Sequence, residues 1–104
     1  MVKNIFQNIP KPTDKEFFEL LASKDSVKIE RIVSYGHTSG ADEWYNQNSD
    51  EWVILLSGEA VISFEYEEDI RLFAGDYIFI PAHKKHRVSW TEPHKDTIWI
   101  AVHY

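Results

Sequence analysis

From Val27 onward every apolar run in this chain is of strand length, and turn residues separate each run from the next. VKIERIVS, EWVILL, EAVISFEY, IRLF, DYIFIP, HRVSW and TIWIAVHY succeed one another, the later ones at intervals of about 8–12 residues. Ser57-Gly58, Glu67-Glu68-Asp69, Ala74-Gly75-Asp76 and Glu92-Pro93-His94 supply the breaks. Val27, Ile29 and Val33 share one parity, as do Ala60, Ile62, Phe64 and Tyr66, which marks half-buried antiparallel strands. EWVILL is apolar almost throughout and suits a strand covered on both faces. Pro81 fits a strand end, where a missing N–H costs little. So many short strands in 104 residues predict an all-β, closed or nearly closed β-barrel, because closure removes exposed edges. A chain of this length has no room for a second core.

Ahead of the strands, residues 1–12 form an arm punctuated by Pro10 and Pro12. Thr13-Asp14-Lys15-Glu16 then has the form of a capping box in front of Phe17, Phe18, Leu20 and Leu21, which predicts a short amphipathic helix over 13–23. The expected organisation is an arm and short helix over 1–26 and a barrel over 27–104.

The formal net charge is -6 and the eleven basic residues are scattered, so the electrostatic footprint of a nucleic-acid binder is missing. The absence of cysteine excludes disulfides, thiolate zinc sites and cysteine nucleophiles. No apolar run approaches the ~20 residues of a membrane span, and the first residues do not read as a signal peptide, so the cytoplasm is the expected location and no membrane partner is expected.

Two blocks stand in a telling order. Glu51 is followed after six residues by Gly58, and Gly75 after five by Pro81, with His86 downstream. With these blocks the sequence resembles the cupin superfamily, most closely small bacterial single-domain cupins (the type-2 conserved barrel) with no settled function. The resemblance implies a jelly-roll barrel, a small-molecule site at its mouth and a homodimer. A Glu entering one strand and a His entering another can both point into such a mouth, and an inward carboxylate is costly unless it is paired, bonded or metal-bound.

Metal-binding cupins usually precede the Glu with His-x-His. Here that pair falls on Tyr45 and Gln47 in one register and on Trp44 and Asn46 in the other, and a one-residue slip exchanges the two faces. The preferred register turns Tyr45 and Gln47 inward. The resemblance then implies Gln47, Glu51 and His86 as ligands of one divalent ion, with manganese, iron(II), nickel or zinc as candidates; certain sugar-phosphate isomerase cupins are similar in using a Gln. Tyr45 and His103 are the candidate catalytic groups. His83 takes a position where the family has Gly, and Trp90 one where it has Asn.

Other residues carry weaker readings. His83 and His86, three apart on an extended chain, face opposite ways, which makes His83 a rim turn residue. His103 shares the parity of Trp99 and Ala101. His37 lies in a loop, GHTSGADEW, that could fold over the mouth. Trp44, Trp52, Trp90 and Trp99 suit either a cavity wall or core and dimer packing. Arg31 would favour an anionic substrate if it entered the lumen, and a rim position otherwise. Two functional accounts follow: a metal-dependent enzyme of isomerase or dioxygenase type, or a metal-free small-molecule binding or sensing barrel. A structural role in oligomerisation is a third.

Overall fold

The computed structural model describes residues 1–104 and contains eight strands. They are β1 (Phe17–Lys24), β2 (Val27–Ser34), β3 (Glu51–Ser57), β4 (Glu59–Phe64), β5 (Ile70–Phe73), β6 (Tyr77–Ile80), β7 (His86–Thr91) and β8 (Thr97–His103). A five-stranded sheet runs β1-β2-β8-β3-β6 and a three-stranded sheet β5-β4-β7; the paired strands are antiparallel. Val53, Leu55, Ala60, Ile62, Phe64, Leu72, Ile80, Trp99 and Ala101 form the buried core. It holds residues from both sheets, as two apolar faces packed together require. The seven strands expected from Val27 onward are all present.

The helix expected over 13–23 is not. Phe17–Lys24 is β1, paired with β2 from Phe17↔Val33 to Lys24↔Val27 with an irregularity between Leu20 and Ala22. Asp25 adopts φ 54° in the two-residue turn between them, a conformation that Asp tolerates better than most residues. An isolated helix of about eleven residues is marginal in water, whereas a hairpin onto β2 satisfies a row of backbone groups that would otherwise be a bare edge. The capping residues are used differently as well. The Lys15 N–H donates to Thr13 Oγ1 at 3.3 Å, and Glu16 accepts from Ser34 Oγ at 2.5 Å. The five-stranded sheet therefore begins at Phe17 rather than near residue 27.

The apolar parity of β2 also faces elsewhere than expected. Glu30 and Ile32 line the cavity between the sheets, while Arg31 and Val33 lie on the other face and are buried. The N-terminal arm covers that face: the Arg31 guanidinium donates to the carbonyls of Ile5, Gln7 and Asn8 at 3.1, 2.8 and 3.2 Å. Arg31 thus enters neither the lumen nor the rim; it fastens the arm. His37 is similarly structural. Its Nδ1 accepts from the Tyr35 N–H at 2.8 Å, which leaves Nε2–H to donate to the Thr13 carbonyl at 2.7 Å.

Strand β3 is covered less evenly than its composition suggests, with Glu51, Val53 and Leu55 buried and Trp52 and Ile54 half-buried. At its end Gly58 has φ +90°, and a Cβ there would sit 2.5 Å from Thr97 Oγ1. Both the turn conformation and the approach of β8 therefore require glycine.

Candidate functional site

The hollow between the sheets opens at one end of the barrel and encloses a cavity of about 80 Å³. Tyr45, Gln47, Glu51, His86 and His103 all line it, so the preferred register is the one adopted. Trp44 instead lies under the Arg87 guanidinium at 5.5 Å, and Asn46 meets His83 Nδ1 at 3.2 Å.

Backbone pairing fixes these positions. Tyr45 and His86 form a bridge, with the Tyr45 N–H donating to the His86 carbonyl at 2.7 Å and the His86 N–H to the Tyr45 carbonyl at 3.2 Å. The His83 N–H donates to the Gln47 carbonyl at 2.8 Å, and the Ala82 N–H to Asp50 Oδ1 at 2.9 Å. The turn after β6 thus clamps the loop that carries Gln47. His83 sits in this turn with φ 65°, in the left-handed region that favours glycine. That conformation accounts for the family's preference at the position and agrees with a rim role.

His86 is 6% exposed and Glu51 7%; Nε2 of the one lies 3.3 Å from Oε1 of the other. The contact lacks hydrogen-bond geometry, and Glu51 Oε1 is buried without a hydrogen-bond partner. His86 Nδ1–H donates to the Lys84 carbonyl at 2.9 Å, which fixes the ring and leaves Nε2 to face the cavity. Burial opposes charging of His86, but interaction with the Glu51 carboxylate and the Lys84 carbonyl outweighs it and holds the imidazole above its ordinary value. Burial raises the Tyr45 phenol, against a hydrogen bond with Ser39 that lowers it and with help from the charges of Glu16, Glu43 and Glu51; it stays neutral at physiological pH.

A second carboxylate–imidazole pair shares the cavity. His103, opposite Glu51 in the β3–β8 register, contacts Glu30 Oε1 through Nε2 at 2.7 Å. Glu16 adds a third carboxylate to the lining. Neither Glu16 nor Glu30 was expected there. Reading 17–24 as a strand hairpinned to 27–34 puts Glu16 across from Ser34 and Leu20 across from Glu30, the parity of the lumen, and would have found both. Of the four tryptophans only Trp99 lines the cavity. Trp52 stacks at a tilt on Tyr77 with ring centroids 5.4 Å apart, and Trp90 lies under Arg71 at 5.2 Å.

No group of three or more His, Cys, Asp or Glu gathers in metal-binding geometry. The candidate donor set has two strong ligands, His86 and Glu51, and one neutral oxygen, Gln47 Oε1, which is also buried without a partner. No helix is long and apolar enough to cross a membrane.

No match was found among curated protein sequences. Among solved structures the chain is similar to a candidate mannose-6-phosphate isomerase from Ralstonia eutropha JMP134, at 38% identity and a TM-score of 0.94, covering 99% of this chain and 96% of that one. A cupin superfamily protein from Desulfitobacterium hafniense DCB-2 matches at 24% identity and a TM-score of 0.75, covering 91% and 82%. The protein TT1209 from Thermus thermophilus matches at 19% and 0.81, covering 98% and 94%. These last two share the fold. The family model of the cupin domain matches residues 31–103, most of the chain and every strand from β3 to β8, and the protein belongs to the cupin family.

Proposed function

We propose that this cupin binds a small molecule at the barrel mouth and uses one divalent metal ion held by Gln47, Glu51 and His86. The observation that carries this reading is a set of three donor atoms lining one cavity. Gln47 Oε1 and Glu51 Oε1 are buried without hydrogen-bond partners, and His86 Nε2 is freed by the bond that Nδ1 makes to the Lys84 carbonyl. A buried polar atom without a partner is costly, and imidazoles that bind metals commonly donate their other N–H to a carbonyl in this way. When bound, the ion would polarise a substrate oxygen as a Lewis acid. The oxygen-rich donors suit manganese, iron(II) or nickel, with zinc also accommodated.

The chain's own groups supply the proton chemistry. With Nε2–H directed at Glu30 Oε1, His103 keeps Nδ1 as the nitrogen with a lone pair free to take a proton. Tyr45, held neutral by burial, is the complementary donor across the cavity. Such a pair suits an isomerase, and the resemblance to the candidate isomerase from Ralstonia favours that type over a dioxygenase.

A second reading, a metal-free binding or sensing cupin, is favoured by the direct His86–Glu51 contact at 3.3 Å, which sets the imidazole against the carboxylate with no ion between them. Metal content of protein purified without an affinity tag separates the two. Near-stoichiometric metal, lost in His86→Ala and Glu51→Gln, is expected. Metal-free protein whose two variants fold and bind ligand unchanged would sink the metal reading. We further read the chain as a cytoplasmic homodimer; the exposed aromatics Tyr77 and Phe79 beside half-buried Trp52 support an interface on the outer face of β3 and β6.

A further inference from the structure

We propose that the cavity selects a small organic cation, an amine on a compact apolar body, and rejects phosphorylated molecules. The proposal rests on the barrel mouth being the ligand site, as argued above, and does not depend on the metal.

The charge of the lining carries it. Glu16, Glu30 and Glu51 line the cavity with His86 and His103, and no Lys or Arg does. Three carboxylates face two imidazoles, so the wall stays negative even with both imidazoles protonated. A divalent ion on neutral His86 also falls short of the three negative charges while His103 is neutral. The basic residue with the best claim to the lumen, Arg31, is spent on the arm on the opposite face of β2. A phosphate dianion would therefore meet carboxylates and no guanidinium or ammonium, the groups that normally recognise it. The lining is built for a ligand rather than merely acidic: Glu51, 7% exposed, keeps Oε1 without a hydrogen-bond donor, and an ammonium would supply one.

The rest of the wall fits the body of such a ligand. Phe18, Tyr45 and Trp99 bring aromatic rings to a lining whose other apolar members are aliphatic, and aromatic faces attract organic cations that carboxylates also neutralise. Glu16 and Glu30 come from the β1–β2 side, whereas Glu51 and His86 belong to β3 and β7. The ammonium thus has carboxylate partners outside the candidate metal ligands.

Isothermal titration of the full chain with cyclohexylamine, cyclohexanol and cyclohexyl phosphate tests this, because the three share one apolar body. The amine is expected to bind about tenfold tighter than the alcohol, the ratio that about 1.4 kcal/mol produces, and the phosphate to bind most weakly. Glu30→Gln and Glu16→Gln should each reduce the preference for the amine while leaving alcohol affinity and metal content unchanged, and Glu30→Asp should retain it. If Glu30→Gln does not fold, Glu16→Gln at its half-buried position carries the same comparison. Phosphate binding as tight as the amine, no binding of the amine, or a preference unchanged in both Gln variants overturns the proposal. Loss of the metal result with the amine preference intact overturns only the metal reading.

Discussion

Arg31→Met tests whether the buried guanidinium is an arm clamp or a substrate group. Arg31 is 5% exposed, donates to three arm carbonyls at 2.8–3.2 Å and contacts Glu19 Oε1 at 2.8 Å. Hydrogen bonds to a charged group contribute about 1.5–3 kcal/mol each, so the three carbonyl bonds set a loss of about 4–5 kcal/mol at the low end. The Glu19 contact adds little, because that carboxylate is more than a third exposed. Part of the loss is recovered: the freed carbonyls reach water once the arm lifts, and each released residue regains about 1–2 kcal/mol of backbone entropy. A net cost of about 2–3 kcal/mol is expected from urea unfolding. Amide exchange over residues 5–8 should accelerate well beyond that of β3 and β8. Ligand affinity and metal content should not change, since Arg31 lies outside the cavity. Unaltered arm protection, or ligand affinity lost while the arm stays protected, would refute the argument.

Gly58→Ala should destabilise by about 2–4 kcal/mol in the same unfolding assay, because it combines a left-handed backbone with a Cβ placed 2.5 Å from Thr97 Oγ1. In metal-free protein the His86 imidazole, held above its ordinary value by Glu51 and the Lys84 carbonyl despite burial, stabilises the fold when protonated. That contribution is full below about pH 6.5, the unfolded value, and is lost as pH rises through the higher folded value. Denaturant midpoints should fall accordingly, and Glu51→Gln should flatten the profile; a midpoint that rises over this window contradicts the assignment. At His83, φ 65° makes Val worse than His by about 1–2 kcal/mol, while Gly should lie within about 0.5 kcal/mol of wild type. Metal content should survive in His83→Gly, since the backbone N–H that holds Gln47 remains.

Period-two alternation and turn residues are local signals, and from Val27 onward they were enough to read every strand. Strand β1 was not legible for the same reason: Thr13-Asp14-Lys15-Glu16 is a sound local helix start, and what overrides it is pairing with β2, which no window around residue 17 contains. The difference reaches the site, because a helix start would hold Glu16 at a cap, whereas the strand brings it to the cavity. Alternation likewise showed that Val27, Ile29 and Val33 share a face without showing what covers it. Part of the cover is the arm that Arg31 fastens, and the face toward the cavity is the one bearing Glu30.

Motif spacing located Glu51 and His86, but only the register of the Tyr45–His86 bridge decides which neighbours join them. That bridge turns Gln47 inward, and the left-handed turn at His83 holds it there through one backbone hydrogen bond. The side chain at 83 can therefore depart from glycine without loss of the site, provided that it tolerates the turn. Under the proposed metal reading Gln47 has no such freedom, because what it would contribute is the side-chain oxygen itself. The proposed site would then depend on backbone geometry at position 83 and on donor chemistry at position 47.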